Sequence, residues 1–177
     1  YASGAAYAIY KSFAYSANAF VDWTLCDTKI VLVDATRPPV AWNGASIEAF
    51  GSLTFAAKCV AFWQDRLYFG FTTEGAVQNR RRVRWSKATD HTSFIASPDV
   101  QWQDRPYGTG SLIRLVPMGK LLIAYYEDGI DIGRPTNIAG DLLPVAFESI
   151  DTGGSGLVGQ RALARFYDGH FIVRSEE

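Results

Sequence analysis

Residues 58–94 read KCVAFWQDRLYFGFTTEGAVQNRRRVRWSKATDHTSF. Two apolar segments, Cys59–Trp63 and Leu67–Thr72, flank the polar turn Gln64-Asp65-Arg66. A third segment, Arg80–Trp85, follows a loop, and a second polar turn leads to Phe94. Runs of five or six residues rich in β-branched and aromatic side chains, punctuated by polar turns, are strands. The stretch therefore reads as one unit of a repeated antiparallel sheet, and the remainder of the chain reads as looser copies of it.

Upstream, Ala19–Cys26 and Lys29–Asp34 form a hairpin on Cys26-Asp27-Thr28. Arg37-Pro38-Pro39 ends it, because proline has no N–H for a ladder. Val40–Trp42 then meets Asn43-Gly44, a dipeptide suited to the positive φ of tight turns, and Ile47–Phe50 follows. The first twenty residues are almost wholly Ala, Ser, Gly and aromatics, Lys11 being the one charge, with Tyr7, Ile9, Phe13 and Tyr15 at the period of a strand. Downstream, the spacing predicts strands at Val100–Trp102, Leu112–Val116, Lys120–Tyr126, Ile130–Gly133, Val145–Ile150, Leu163–Tyr167 and Phe171–Arg174. Pro117-Met118-Gly119, Glu127-Asp128-Gly129 and Asp168-Gly169 read as turns, and Pro135, Asn137 and Gly140 as a loop. No amphipathic helix of three turns is present in the pattern.

Four hairpins share one plan, an apolar strand, a polar turn, a basic residue and a second apolar strand, with the basic residue at Lys29, Arg66, Lys120 and His170. The separations are 37, 54 and 50 residues, near the roughly 40–50 residues of a four-stranded propeller blade. The expected fold is all-β: antiparallel four-stranded blades of a β-propeller. Residues 1–177 then supply about three to four blades of one propeller domain. Closed propellers hold about four to eight blades, and the chain runs from Tyr1 to Ser175-Glu176-Glu177. We therefore read it as an incomplete propeller, a segment of a longer protein. The alternative all-β arrangement is a sandwich.

At 177 residues, 48% hydrophobic and 14% aromatic, the chain has the material for a sizeable core. A net charge of −1 provides no global field for nucleic acid or anionic membrane. No apolar run approaches the roughly 20 residues that span a bilayer, so membrane insertion is not expected. Cys26 and Cys59 lie outside any CxxC pattern and read as small apolar core residues.

The densest charge cluster is Arg80-Arg81-Arg82-Val83-Arg84-Trp85. On a strand, Arg80, Arg82 and Arg84 share one face, and Arg81, Val83 and Trp85 the other. Such a ladder either faces an acidic subunit or phosphate, with aromatics at Trp63, Tyr68 and Trp85 for stacking, or guards a sheet edge against aggregation. Arg80, Arg82, Arg84 and Trp85 are the candidate subunit or partner contacts. His91, in a turn, and His170, at a hairpin anchor, lack partners at metal-site or triad spacing. The carboxylates Glu127, Asp128 and Asp131 cluster, as do Glu148 and Asp151, and the Asp128-Gly129 turn explains Asp128 without catalysis. No catalytic residue, metal or cofactor is expected, and the chain reads as a non-enzyme.

The segment Val60–Gly70, followed by Arg82-Val83-Arg84-Trp85-Ser86-Lys87-Ala88-Thr89-Asp90 and Phe94, resembles the propeller-type tail and neck proteins of tailed bacteriophages. The upstream residues 20–44 and the downstream Phe147–Ser155 with Asp168-Gly169-His170-Phe171 are similar to the flanking blades of that family. The resemblance spans roughly residues 19–175. It implies a structural virion protein of the tail, a nozzle, hub or adaptor ring made in the bacterial host cytoplasm. Its implied partners are copies of itself in a ring and other tail proteins, with DNA only as passing cargo. The alternative is a carbohydrate-binding or glycosidase-like β-propeller, for which a glycan would be the partner.

Overall fold

The computed structural model describes residues 20–94, 102–136, 143–166 and 169–172. The strand expected in the first twenty residues lies almost wholly outside them. So do the loop at Asn137 and Gly140, the turn at Asp168 and the start of the strand expected at Val100.

Among the described residues fourteen strands follow in chain order: β1 Asp22–Cys26, β2 Lys29–Val33, β3 Val40–Trp42, β4 Ile47–Ala49, β5 Phe55–Trp63, β6 Arg66–Glu74, β7 Val77–Trp85, β8 Trp102–Asp104, β9 Leu112–Met118, β10 Leu121–Tyr126, β11 Gly129–Pro135, β12 Val145–Ile150, β13 Leu163–Phe166 and β14 Gly169–Ile172. They pair as three antiparallel four-stranded meanders, β1–β4, β5–β8 and β9–β12, followed by the hairpin β13–β14. No helix occurs among the described residues. The protein is all-β, built of propeller-like blades.

The first three anchors fall in the first hairpin of a four-stranded sheet, and the fourth in the hairpin β13–β14. Cys26 pairs with Lys29, Trp63 with Arg66, Met118 with Leu121, and Phe166 with Gly169. The tight turns need left-handed backbone, supplied by Asp27 (φ 53°), Gln64 (φ 48°), Asp65 (φ 56°) and Gly119 (φ 57°).

Strand β6 shows why the sequence runs are continuously apolar rather than alternating. Leu67 and Phe69 point into the core shared with the first blade, among Val31, Val33, Ala41 and Val60. Tyr68, between them, points the other way, into the core shared with the third blade, among Trp63, Trp85, Leu115, Leu122 and Tyr126. A blade buried on both faces needs apolar residues at both parities. A third core joins Ile113, Val116, Ile123 and Tyr125 to Leu157 and Leu163. Within this stack β1 packs on β5, and β5 on β9. The first strand of each blade is therefore the innermost, and the last strands β4, β8 and β12 lie outward.

Several boundaries differ from expectation. Strand β9 runs on through Pro117 to Met118, where a turn was expected. Pro117 is tolerated because β9 has a sheet partner on one side only. Strand β7 starts at Val77 and faces a bulge: its register with β6 steps from Gly70↔Val83 to Thr72↔Asn79 around Phe71, whose φ is 51°. Arg80, Arg81 and Arg82 lie in that irregular section.

Candidate functional site

Arg82 and Arg84 share the face of β7 that the alternation predicts, but their charges are used inside the blade. Arg82 binds Asp104 of β8 through two bonds, Nε to Oδ1 at 2.9 Å and Nη2 to Oδ2 at 3.0 Å. It also reaches Glu74 Oε1 at 3.3 Å and stacks 3.7 Å from the Trp102 ring centroid. Arg84 contacts Glu74 Oε2 at 3.2 Å, donates to the Phe94 carbonyl at 2.8 Å and lies over Phe55. Burial opposes the ionisation of Glu74, yet the Thr72 hydroxyl, Arg84 and Arg82 together hold its carboxyl below the ordinary range. Arg81 donates to the Gly108 carbonyl. Arg80 is exposed and, among the described residues, donates to Gln78. Trp85 corrects the contact reading: its side chain is fully buried in the core between the second and third blades. Its odd parity relative to Arg84 already directed it away from the arginine face.

Residues of β1, β5, β9 and β13 line a cavity of about 450 Å³, among them Asp22, Trp23, Thr24, Phe62, Arg114 and Leu163. Asp22 is buried, and its Oδ2 accepts the Val60 N–H at 3.1 Å. Thr24 Oγ1 accepts the Phe62 N–H at 3.2 Å. Arg114 stands 3.6 Å from Asp22 Oδ1 and donates to the carbonyls of Gln160 and Leu163. It thereby joins the third blade to the first and to the fourth hairpin. Burial pushes the Asp22 carboxyl up to about 6, against the pull of Arg114 and the backbone donors. Trp23, on the opposite parity, is 60% exposed.

A third cluster gathers at the seam between the first two blades. His91, in the loop after β7, reaches Asp27 Oδ2 with Nδ1 at 3.0 Å. Its Nε2 faces Asp65, 3.2 Å from the carbonyl and 3.4 Å from the carboxylate. Asp27 and Asp65 occupy the corresponding inner-hairpin turns of consecutive blades. Cys26 Sγ lies 3.9 Å from Asp27 Oδ2. Cys26, Asp27 and His91 place a thiol, a carboxylate and an imidazole within 4.8 Å of one another. Sequence spacing concealed this, since 64 residues separate His91 from Asp27. The signal that could have revealed it is the repeat of Asp at the turn of two successive blades.

The carboxylates Asp128 and Asp131 meet Arg105, whose Nη1 lies 2.6 Å from Asp128 Oδ1 and Nη2 3.1 Å from Asp131 Oδ1. Asp128 also accepts the N–H groups of Thr109 and Gly110 at 2.8 Å, and Glu127 accepts that of Ser111 at 2.8 Å. These groups lock the outer edge of the second blade to the third. His170, at the fourth hairpin anchor, meets the Tyr125 hydroxyl at 2.6 Å through Nδ1. Cys26 and Cys59 are buried free thiols, as expected.

No protein-family model matches the chain, and no curated protein matches it. Among solved structures, a crystal structure of the computationally designed Ika8 protein is similar at 12% identity and a TM-score of 0.41. The match covers 62% of this chain and 31% of that one, so it spans under a third of the designed protein's length.

Proposed function

We propose that the chain is a non-enzymatic structural subunit of a bacteriophage tail, part of a nozzle, hub or adaptor ring that surrounds the DNA path. The observation that carries this reading is the way the charged groups are used. Arg82, Arg84, Arg105, Glu74, Asp104, Asp128 and Asp131 are tied in ion pairs between strands and between blades. General acid–base catalysis needs an acid and a base left open to a substrate. Here those groups hold sheets in register, which is the work of a scaffold. The resemblance to phage tail propellers points the same way, and a net charge of −1 suits a wall past which DNA slides. Its partners would be copies of itself and neighbouring tail proteins, its location the virion, and its contact residue Arg80. Mass spectrometry of purified tailed particles, with antibody labelling under the electron microscope, tests the reading. The chain should be present at fixed stoichiometry and label the tail. Its absence from particles, with the protein abundant in infected cells, overturns it.

A second reading, a glycan-binding propeller, draws on the cavity between β1, β5 and β9. Trp23, an exposed aromatic, is among the residues that line it, together with Asp22, Thr24 and Arg114. Binding on a glycan array that is lost in Trp23→Ala would favour it; a blank array removes it.

A further inference from the structure

We propose that Cys26, Asp27 and His91 bind a divalent transition-metal ion of the zinc class at the seam between the first and second blades. The donor set is the first reason. A thiolate and an imidazole select zinc-class ions over magnesium or calcium, which take oxygen ligands. One thiolate, one carboxylate and one neutral imidazole balance a dication, so the site carries no net charge where Cys26 is only 3% exposed.

The geometry is the second. Metal–ligand bonds of about 2.0–2.3 Å place tetrahedral donors roughly 3.3–3.8 Å apart. The Nδ1–Oδ2 distance is 3.0 Å, the Sγ–Oδ2 distance is 3.9 Å, and all three donors lie within 4.8 Å of one another. Shifts of an ångström or less seat the ion, and the fourth position remains for water.

The surroundings of the imidazole are the third reason, independent of the first two. A metal-bound histidine characteristically gives its other ring N–H to a carbonyl or carboxylate, which fixes tautomer and orientation. His91 Nε2 faces both the Asp65 carbonyl and its carboxylate. That arrangement holds a proton on Nε2; the Nδ1 proton, which points at Asp27 Oδ2 in the ion-free protein, is the one that the ion would replace. Phe62 packs edge-on against the ring at a centroid distance of 5.2 Å. Asp90 fixes the loop by accepting the Thr92 N–H and hydroxyl at 3.1 and 2.7 Å. Binding releases the Cys26 thiol proton and the His91 Nδ1 proton to solvent, forms Sγ–metal, Oδ2–metal and Nδ1–metal bonds, and transfers no electron.

The full chain, stripped with chelator and titrated with Co(II), tests the site. One equivalent should bind and give a near-ultraviolet thiolate-to-cobalt absorption band, which Zn(II) displaces and Mg(II) leaves unchanged. Cys26→Ser should abolish the band. His91→Gln and the turn variant Asp27→Asn should weaken binding at least tenfold, with circular dichroism unchanged. The last is the control if the core variant fails to fold. The proposal is overturned if no band forms, if the band persists without Cys26, or if Asp27→Asn binds as tightly as the parent chain.

Discussion

Asp22 is an acid held where its charge is least welcome. Its folded pKa is raised from 3.8 to about 6, chiefly by burial. Between those values the folded chain binds more protons than the unfolded one, so the contribution of Asp22 to stability falls as pH rises. The penalty is absent below about pH 4 and complete above the folded value. A displacement of that size corresponds to about 3 kcal/mol. Asp22→Asn keeps an oxygen for the Val60 N–H and removes the charge. It should be more stable than the parent by about 2 kcal/mol at pH 7.5, with the difference vanishing near pH 4. Urea denaturation at both pH values reads this directly. Gly70, in contrast, admits no change. A Cβ there would stand 2.6 Å from Cys59 Sγ and closer still to Leu112 Cδ2, both fully buried. Gly70→Ala should therefore cost about 1–3 kcal/mol through overpacking, read as a lower urea midpoint at an unchanged slope.

At the scale of strands and hairpins, local chemistry made much of the chain legible. Cys26-Asp27-Thr28 and Gln64-Asp65-Arg66 announced their turns because Asp and polar neighbours accept left-handed backbone. Lys29, Arg66 and Lys120 marked the first hairpin of the three four-stranded sheets, and His170 the hairpin β13–β14. What stayed hidden arises between segments distant in sequence. The bulge at Phe71 depends on how β7 meets β6, and neither strand alone signals it. The burial of Trp85 depends on the third blade covering that face, and the meeting of His91 with Asp27 and Asp65 on two blades stacking. Arg105 is the sharpest case: it follows the short strand β8 in a stretch that reads as a plain loop, yet its side chain is 4% exposed and pairs with Asp128 and Asp131 of the next blade. Its guanidinium also lies 4.3 Å from the Tyr126 ring centroid. Burial already raises the Asp131 pKa against the pull of Arg105. Arg105→Ala strips a buried carboxylate of its partner and should destabilise the chain by about 3–5 kcal/mol. Adding Asp131→Asn should recover part of the loss, because the orphaned charge goes with it. A double-mutant cycle by urea denaturation measures that recovery; strict additivity would show that the pair is not coupled.

For the molecule as a whole, the arginine strand separates what folds the chain from what would join it to neighbours. Arg82 is 12% exposed and pairs with Asp104 and Glu74, so its reversal sets three carboxylates against one another inside the second blade. Arg82→Glu should unfold the domain before any question of assembly arises. Arg80 is exposed and forms no ion pair among the described residues; it lines a depression with Gln78, Asn79, Arg81, Asp104 and Thr109, in which the Asp104 carboxylate is taken by Arg82. An outward cation of this kind contributes little to folding, and surface substitutions shift stability by about 0.5 kcal/mol or less. If the chain works in a ring, as proposed, this is where an acidic neighbour would find an unneutralised guanidinium. Arg80→Glu should then keep the parent's urea midpoint yet shift sedimentation velocity from assembled species to monomer. Arg80→Lys should retain assembly through the charge alone. Rings that survive Arg80→Glu unchanged would release β7 from any intersubunit role, and the arginine cluster would stand as a device of the blade's own fold.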